Sequence, residues 1–470
     1  MSEIVEVPLW LAGVVAVMAA WALGDRLLVP GVRWFFRRRV NRAVDEINTR
    51  LDLKIQSFKL TKRRVLIDRL TYDVEVVRAV EEKSAETGVP REVLMNDVAR
   101  YSREIVPAFN AYLYFRFGAW IARKIAQWLY RVRLGSSDEK GLAGINPDAS
   151  VVFVMNHRSN MDYVLVAYLA ASRTALSYAV GEWARVWPLQ ALIRSLGAYF
   201  IRRNSGDQLY RRVLERYVAM ATAGGVVQAV YPEGGLSKDG KLRAPRLGLL
   251  NYMLKALETD GARDIVFVPV GINYDRVLED RSLVRSLDKE LPRRTLGYAL
   301  KTTLGFAAHN FALMLRGKWY RFGYASVNFG SPVSATAWLG DNPLRGDGDD
   351  AHRRQVEALG QYLMAEVGHV VPVLPVSLIA RVFLANPAAA WSELDLKVAV
   401  HTLIQKLAAR DIHVYVPHGD HDYALSVGIR MLILRHFISE ADGVYSVVEA
   451  ETIMLQYYAN AIAHHFETTD

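Results

Sequence analysis

From Leu142 to about Ala335, short apolar runs alternate with stretches of helical spacing, the pattern of an α/β domain. The predicted strands are Val151 to Met155, Ala198 to Ile201, Val226 to Tyr231 and Ile265 to Val270, and each ends near polar or charged residues. In open α/β sheets ligands gather at strand ends, so a site is expected there. Upstream, residues from about 40 to 134 read as helical, with Thr87-Gly88-Val89-Pro90 as the clearest break. Within that region Ala108 to Arg133 is rich in aromatics, with Arg116, Arg123, Lys124, Arg131 and Arg133 spaced through it. The pattern fits a helix lying on a membrane surface and a helix packed on the next domain equally well. Gly135 to Gly141 reads as a linker, and Gly340 to Pro343 with Gly346 to Asp350 as a second boundary before a mainly helical end. The predicted organisation is therefore a membrane anchor over 1–30, a helical region over 31–140, an α/β domain with a mixed sheet flanked by helices over 141–340, and a helical region over 341–470.

The anchor rests on Val7 to Gly24, which holds no charged residue. As a helix that run is roughly 27 Å long, close to a bilayer core. A cleaved signal peptide would want basic residues before it, and Glu3 and Glu6 stand there instead. The other flank carries Arg26, Arg33, Arg37, Arg38, Arg39 and Arg42 among Trp34, Phe35 and Phe36. That asymmetry predicts a single N-terminal span in the cell membrane, the inner membrane in a bacterium, with the bulk of the chain cytoplasmic. The net charge of +9 points to an anionic partner, and no nucleic-acid-binding module is recognisable. The chain has no cysteine, which excludes disulfides, thiolate catalysis and sulfur-based zinc sites.

Four clusters at predicted strand ends carry candidate chemistry. His157 follows the first strand and Asp162 falls in the first turn of the next helix. Five residues on a continuous helix turn roughly 140° apart, so the pair meets only if His157 lies in the bend before the helix. A carboxylate-held imidazole there is a candidate general base. Taken alone, the pair fits a solvated loop as well, and His465 with Asp470 repeats the spacing. Arg202 and Arg203 end an aromatic strand, and guanidinium forks suit phosphate. Glu233, Gly234, Gly235, Ser237 and Lys238 follow the third strand, with Lys241, Arg243 and Arg246 beyond. Val268-Pro269-Val270 belongs to a buried strand or the wall of an acyl pocket.

Together, in this order, the clusters resemble the glycerol-3-phosphate and dihydroxyacetone-phosphate acyltransferase family, within the membrane acyltransferases that carry a His, four residues, Asp motif. Asn156 to Asp162 is similar to the first block, Gly197 to Arg203 to the second, Glu233-Gly234-Gly235 with Ser237 to the third, and Val268-Pro269-Val270 to the fourth. Arg103 to Pro107 and Leu455 to His464 resemble flanking segments. The family usually has arginines where this chain has Leu236 and Lys238, and a proline or similar residue at Asn156. The resemblance implies that His157 deprotonates the acceptor's sn-1 hydroxyl for attack on an acyl thioester, and that Asp162 fixes the imidazole. It implies phosphate binding by Arg202 and Arg203 with Lys238 and Lys241, acceptor positioning by Glu233 and Gly234, and a substrate-binding place for Gly235, Ser237 and Pro269. Backbone N–H groups near the start of the helix are the expected oxyanion donors. No metal or cofactor is expected. The partners are membrane lipids, an acyl-CoA or acyl carrier protein donor and a phosphorylated small-molecule acceptor. The alternatives are the same chemistry on dihydroxyacetone phosphate or a lysophospholipid, a metal-dependent hydrolase built on His418-Gly419-Asp420-His421-Asp422, and a non-enzymatic membrane scaffold.

Overall fold

The computed structural model describes residues 56–170, 174–181, 189–202, 205–258, 261–288, 321–344 and 348–466. Val7 to Gly24 and Arg203 lie outside them. Among the described residues no helix is long and apolar enough to cross a membrane.

Eight strands form the main sheet, in the order β1-β7-β6-β2-β5-β3-β4, with β8 also paired to β6. They are β1 (Arg131–Ser137), β2 (Ser150–Met155), β3 (Ser177–Val180), β4 (Tyr199–Phe200), β5 (Gln228–Val230), β6 (Ile265–Tyr274), β7 (Tyr324–Phe329) and β8 (Val333–Ser334). β6, β2, β5, β3 and β4 run parallel. β1 and β7 are parallel to each other, and β7 meets β6 antiparallel. The sheet is mixed, as expected. β2 is buried at every position, which is why its apolar residues run without alternation.

All four predicted strands are present, and the linker reading of Gly135 to Ser137 is corrected. These residues end β1, which pairs with β7 at the sheet's edge, and only at Asp138 does a turn begin. β7 went unrecognised because Ser326 and Asn328 interrupt its apolar run, although both are buried. Asn328 Oδ1 accepts the Ser136 N–H at 3.1 Å, so the polar group is satisfied inside the sheet.

Before the sheet come α1 (Arg63–Thr71), α2 (Val74–Thr87), α3 (Arg91–Ile105) and α4 (Ala119–Leu129). α2 stops at Thr87 and α3 starts after Pro90, at the predicted break. Between the strands lie α5 (Met161–Ala170), α6 (Gln208–Ala223), α7 (Gly248–Leu254) and α8 (Asp280–Arg285). The last third carries α9 (Asp349–His369), α10 (Pro375–Ala385), α11 (Glu393–Ala408), α12 (His421–Leu434) and α13 (Thr452–Asn460). It is not purely helical: β9 (Trp391–Ser392), β10 (Ile438–Ala441) and β11 (Val444–Val447) form a small antiparallel sheet. One hydrophobic core joins these regions, from Leu66 and Val98 through Val152 and Phe267 to Val356 and Val367.

Candidate active site

β2 delivers the chain to Asn156, whose amide bonds both ways with the backbone of Ile272 in β6, at 2.9 and 2.8 Å. A proline here could make neither bond. The next residues turn before α5, and Ser159 with Asp162 builds a capping box. Ser159 Oγ accepts the Met161 N–H at 3.1 Å, and Asp162 Oδ2 accepts the Ser159 N–H at 3.0 Å. The same Oδ2 faces His157 Nδ1 at 2.9 Å and accepts the Arg158 N–H at 2.7 Å. His157 therefore does lie in the bend, as the spacing required. Both groups are buried, His157 at 2% exposure and Asp162 at 0%, which overturns the solvated-loop alternative. With Nδ1–H donating to the carboxylate, Nε2 is left as the free base.

Two residues the sequence did not point to complete the support. The Tyr274 hydroxyl, at the end of β6, donates to Asp162 Oδ1 at 2.6 Å. Glu279 receives Ser159 Oγ at 2.7 Å and Asn160 Nδ2 at 3.0 Å, pinning the turn from outside. Burial raises the Glu279 carboxyl above its ordinary range. Tyr231 stacks on the imidazole, with ring centroids 4.2 Å apart and 29° between planes, while Tyr163 approaches edge-on at 5.5 Å.

Glu233 Oε1 accepts the His157 N–H at 2.8 Å, so its visible role is to hold the histidine's backbone. Burial pushes its carboxyl up to about 7. Gly234 has φ +68°, and a side chain there would fall on the Arg246 side chain, so the turn requires glycine. Ser237 donates its N–H to the His157 carbonyl at 2.9 Å and its hydroxyl to the Lys241 carbonyl at 2.7 Å. It fastens the loop. Pro269 lies within β6 opposite Val154.

His157 opens on a cavity of about 330 Å³ at the carboxyl ends of β2 to β5. Its walls are mainly apolar, including Leu214, Leu249, Leu250 and Leu363. Gly234 and Gly235 line it; Ser237, Lys238 and Pro269 do not. Lys238 is exposed, with Nζ 3.5 Å from the Ser286 carbonyl. Arg202 lines the cavity, but its guanidinium makes a two-pronged bond to Glu104, at 2.9 and 2.6 Å, which raises its pKa. Arg211 and Arg246 bring further cations to the wall. Arg211 follows from α6 and carried no motif signal. The amides expected to serve an oxyanion are occupied: those of Arg158 and Ser159 by Asp162, and that of Met161 by Ser159. The Gly235 N–H has no acceptor among the described residues.

Arg158 points away from the cavity, bonding the Gly240 carbonyl and lying over Tyr457 at 5.0 Å. Among the described residues no group of His, Asp and Glu could hold a metal ion; the His418 side chain is outside that description.

A family model described as the acyltransferase domain matches residues 138–273, and one described as the glycerol-3-phosphate acyltransferase C-terminal region matches 311–468. The two models and the curated relatives together support the glycerol-3-phosphate acyltransferase family. Relatives in that family include the glycerol-3-phosphate acyltransferases of Pseudomonas putida (strain W619), 27% identical over 430 residues, and of Shewanella frigidimarina, 26% identical over 427. These alignments cover 87% and 86% of this chain, and 49% and 50% of the relatives. The chain spans about half the length of the curated relatives it matches. Among solved structures, the 1-acyl-sn-glycerophosphate acyltransferase of Thermotoga maritima is similar at 18% identity and a TM-score of 0.31, over 65% of this chain and 96% of that one.

Proposed function

We propose that the chain is an O-acyltransferase that moves a fatty acyl group from acyl-CoA or acyl carrier protein to the sn-1 hydroxyl of glycerol 3-phosphate, at the cytoplasmic face of the cell membrane. The observation that carries this reading is the buried His157–Asp162 pair at the mouth of an apolar cavity bordered by arginines. His157 Nε2 takes the proton of the hydroxyl as its oxygen attacks the thioester carbon. Asp162 and the stacked Tyr231 face stabilise the imidazolium that forms. The Gly235 N–H is available to the oxyanion. The tetrahedral intermediate then collapses with cleavage of the C–S bond. A thiol of pKa about 8.5 leaves readily, and no covalent acyl-enzyme is needed. The acyl chain suits the leucine-lined cavity, and the acceptor phosphate suits Arg211 and Arg246.

Two observations favour a second acceptor: Arg202 is already bonded to Glu104, and Leu236 stands where the family it resembles usually has arginine. Dihydroxyacetone phosphate and a lysophospholipid are therefore assayed beside glycerol 3-phosphate, with purified chain and labelled acyl donor. Preference for glycerol 3-phosphate, with a loss of about 10²–10⁴-fold in His157→Ala, supports the proposal. A folded His157→Ala that turns over like wild type rules out the mechanism, and no preference for glycerol 3-phosphate rules out the acceptor.

A further inference from the structure

Arg202 follows β4 at the carboxyl end of the sheet, where α3 packs on that strand from the region ahead of the sheet. The two oxygens of Glu104, in the last turn of α3, accept from Arg202 Nε and Nη2 at 2.9 and 2.6 Å. The guanidinium carbon lies 5.1 Å from the centre of the Tyr101 ring and 5.0 Å from that of Tyr210. The planes of these rings stand 85° apart, so the group sits in the corner they make. The root of the side chain is fixed as well, since the Arg202 N–H donates to the Tyr210 hydroxyl at 3.0 Å. The corner is itself anchored. Asp207 accepts from the Tyr101 hydroxyl at 2.5 Å and from Lys83 of α2 at 3.0 Å, and it caps α6 by accepting the Leu209 N–H at 3.0 Å.

Glu104 takes two of the five N–H donors of the arginine, both on one edge. The Nη1 end bonds nothing among the described residues, on a side chain that lines the cavity of His157. A guanidinium held along one edge still has a fork of donors for an oxyanion on the other. The Glu104 charge does not cancel that grip. A phosphate on the Nη1 edge lies roughly 4 Å from the guanidinium carbon and roughly 8 Å from the carboxylate, so attraction is about twice repulsion. What the carboxylate supplies is order. An unheld arginine loses rotamer freedom when it binds an anion, whereas this one is fixed before the anion arrives.

We infer that Glu104 is a positioning residue of the reaction, holding Arg202 so that the Nη1 end of its guanidinium meets the acceptor phosphate. The inference rests on the acyltransferase reading above and serves each acceptor named there, since all carry a phosphate. It also makes α3, outside the α/β region, a part of the acceptor site.

Glu104→Gln keeps the size of the side chain and removes its charge and one acceptor oxygen. The full chain carrying it is compared with wild type, using labelled acyl donor and a glycerol 3-phosphate series. KM for glycerol 3-phosphate should rise roughly five- to tenfold, with kcat and KM for the donor within about twofold. Inorganic phosphate, added as a competitive inhibitor, should weaken by the same factor. Glu104→Asp, which keeps the charge on a shorter stem, should recover part of the loss, and it carries the comparison if Glu104→Gln does not fold. In an Arg202→Lys background, which lacks the two-pronged bond, Glu104→Gln should change KM by less than about twofold. Three outcomes overturn the inference: a fall in KM, meaning that Glu104 withholds Arg202 from the acceptor, an unchanged KM, and an equal effect in both backgrounds. Calorimetric binding of glycerol 3-phosphate reads the same contact without turnover. A Kd weakened in Glu104→Gln on a chain that acylates no acceptor defeats the acyltransferase reading alone. Turnover with an unweakened Kd defeats only the positioning, and so does wild type that binds no glycerol 3-phosphate.

Discussion

Asp162 accepts from four donors: the imidazole Nδ1–H and the Arg158 and Ser159 amides on Oδ2, and the Tyr274 phenol on Oδ1. The phenol fixes the carboxylate that orients the imidazole. In Tyr274→Phe the carboxylate loses that donor, and kcat should fall by about tenfold with KM little changed. Activity lost only in proportion to folded protein would reduce Tyr274 to a packing role. Glu233 gives a prediction of opposite kind. Its folded pKa, about 7, is above the ordinary carboxylate value, so its contribution to stability is full in acid and declines as pH rises through 7. Urea unfolding of wild type and Glu233→Gln at pH 5 and pH 8 checks this. The variant should lose less stability between the two than wild type does. His157 and Asp162 were legible in the sequence because the supporting turn is local, running from a strand end through a short bend into the first turn of the next helix. Tyr274 and Glu279 were not, because each arrives from more than a hundred residues away through sheet geometry.

At the scale of elements, parallel strands place their carboxyl ends together, and loops after β2, β4 and β5 bring His157, Arg202 and Glu233 to one region. The cavity's far wall comes from α9, beyond the predicted second boundary, through Gly360 and Leu363. A Cβ at Gly360 would come within 3.0 Å of Leu247 and 3.5 Å of Leu250, both leucines of the α7 side. Gly360→Leu should fill that end of the cavity and shift acyl-donor preference toward shorter chains, read as kcat/KM across a donor series. A proportionate loss for every chain length would mean that the acyl group does not reach α9. Reading this wall from sequence was not possible, since Gly360 lies mid-helix without any motif. β1 escaped for a different reason: Gly135-Ser136-Ser137 has the composition of a turn, and its strand conformation is imposed by β7.

Across the whole molecule, the C-terminal region braces the site from behind. Arg435 and Tyr458 both bond the buried Asp280 carboxylate, and the Tyr458 hydroxyl receives the Val277 N–H at 3.1 Å. Asn460 Nδ2 donates to the Asp239 carbonyl at 2.8 Å, and Gly240, at φ +89°, lies too close to the Tyr457 carbonyl for any side chain. Arg435→Ala leaves the Asp280 charge buried without its cation, and should cost about 3–5 kcal/mol in chemical unfolding. A cost below about 1 kcal/mol would mean that this pair does not brace the site. β1 and β7 are neighbours in the sheet, yet about 190 residues separate the end of one from the start of the other. At a ribosomal rate of 5–20 residues per second, β1 waits roughly 10–40 s for its partner to be made. The nascent chain therefore passes through a long interval with an unpaired strand edge, and its yield in a cell depends on the speed of translation and on chaperones that cover that edge.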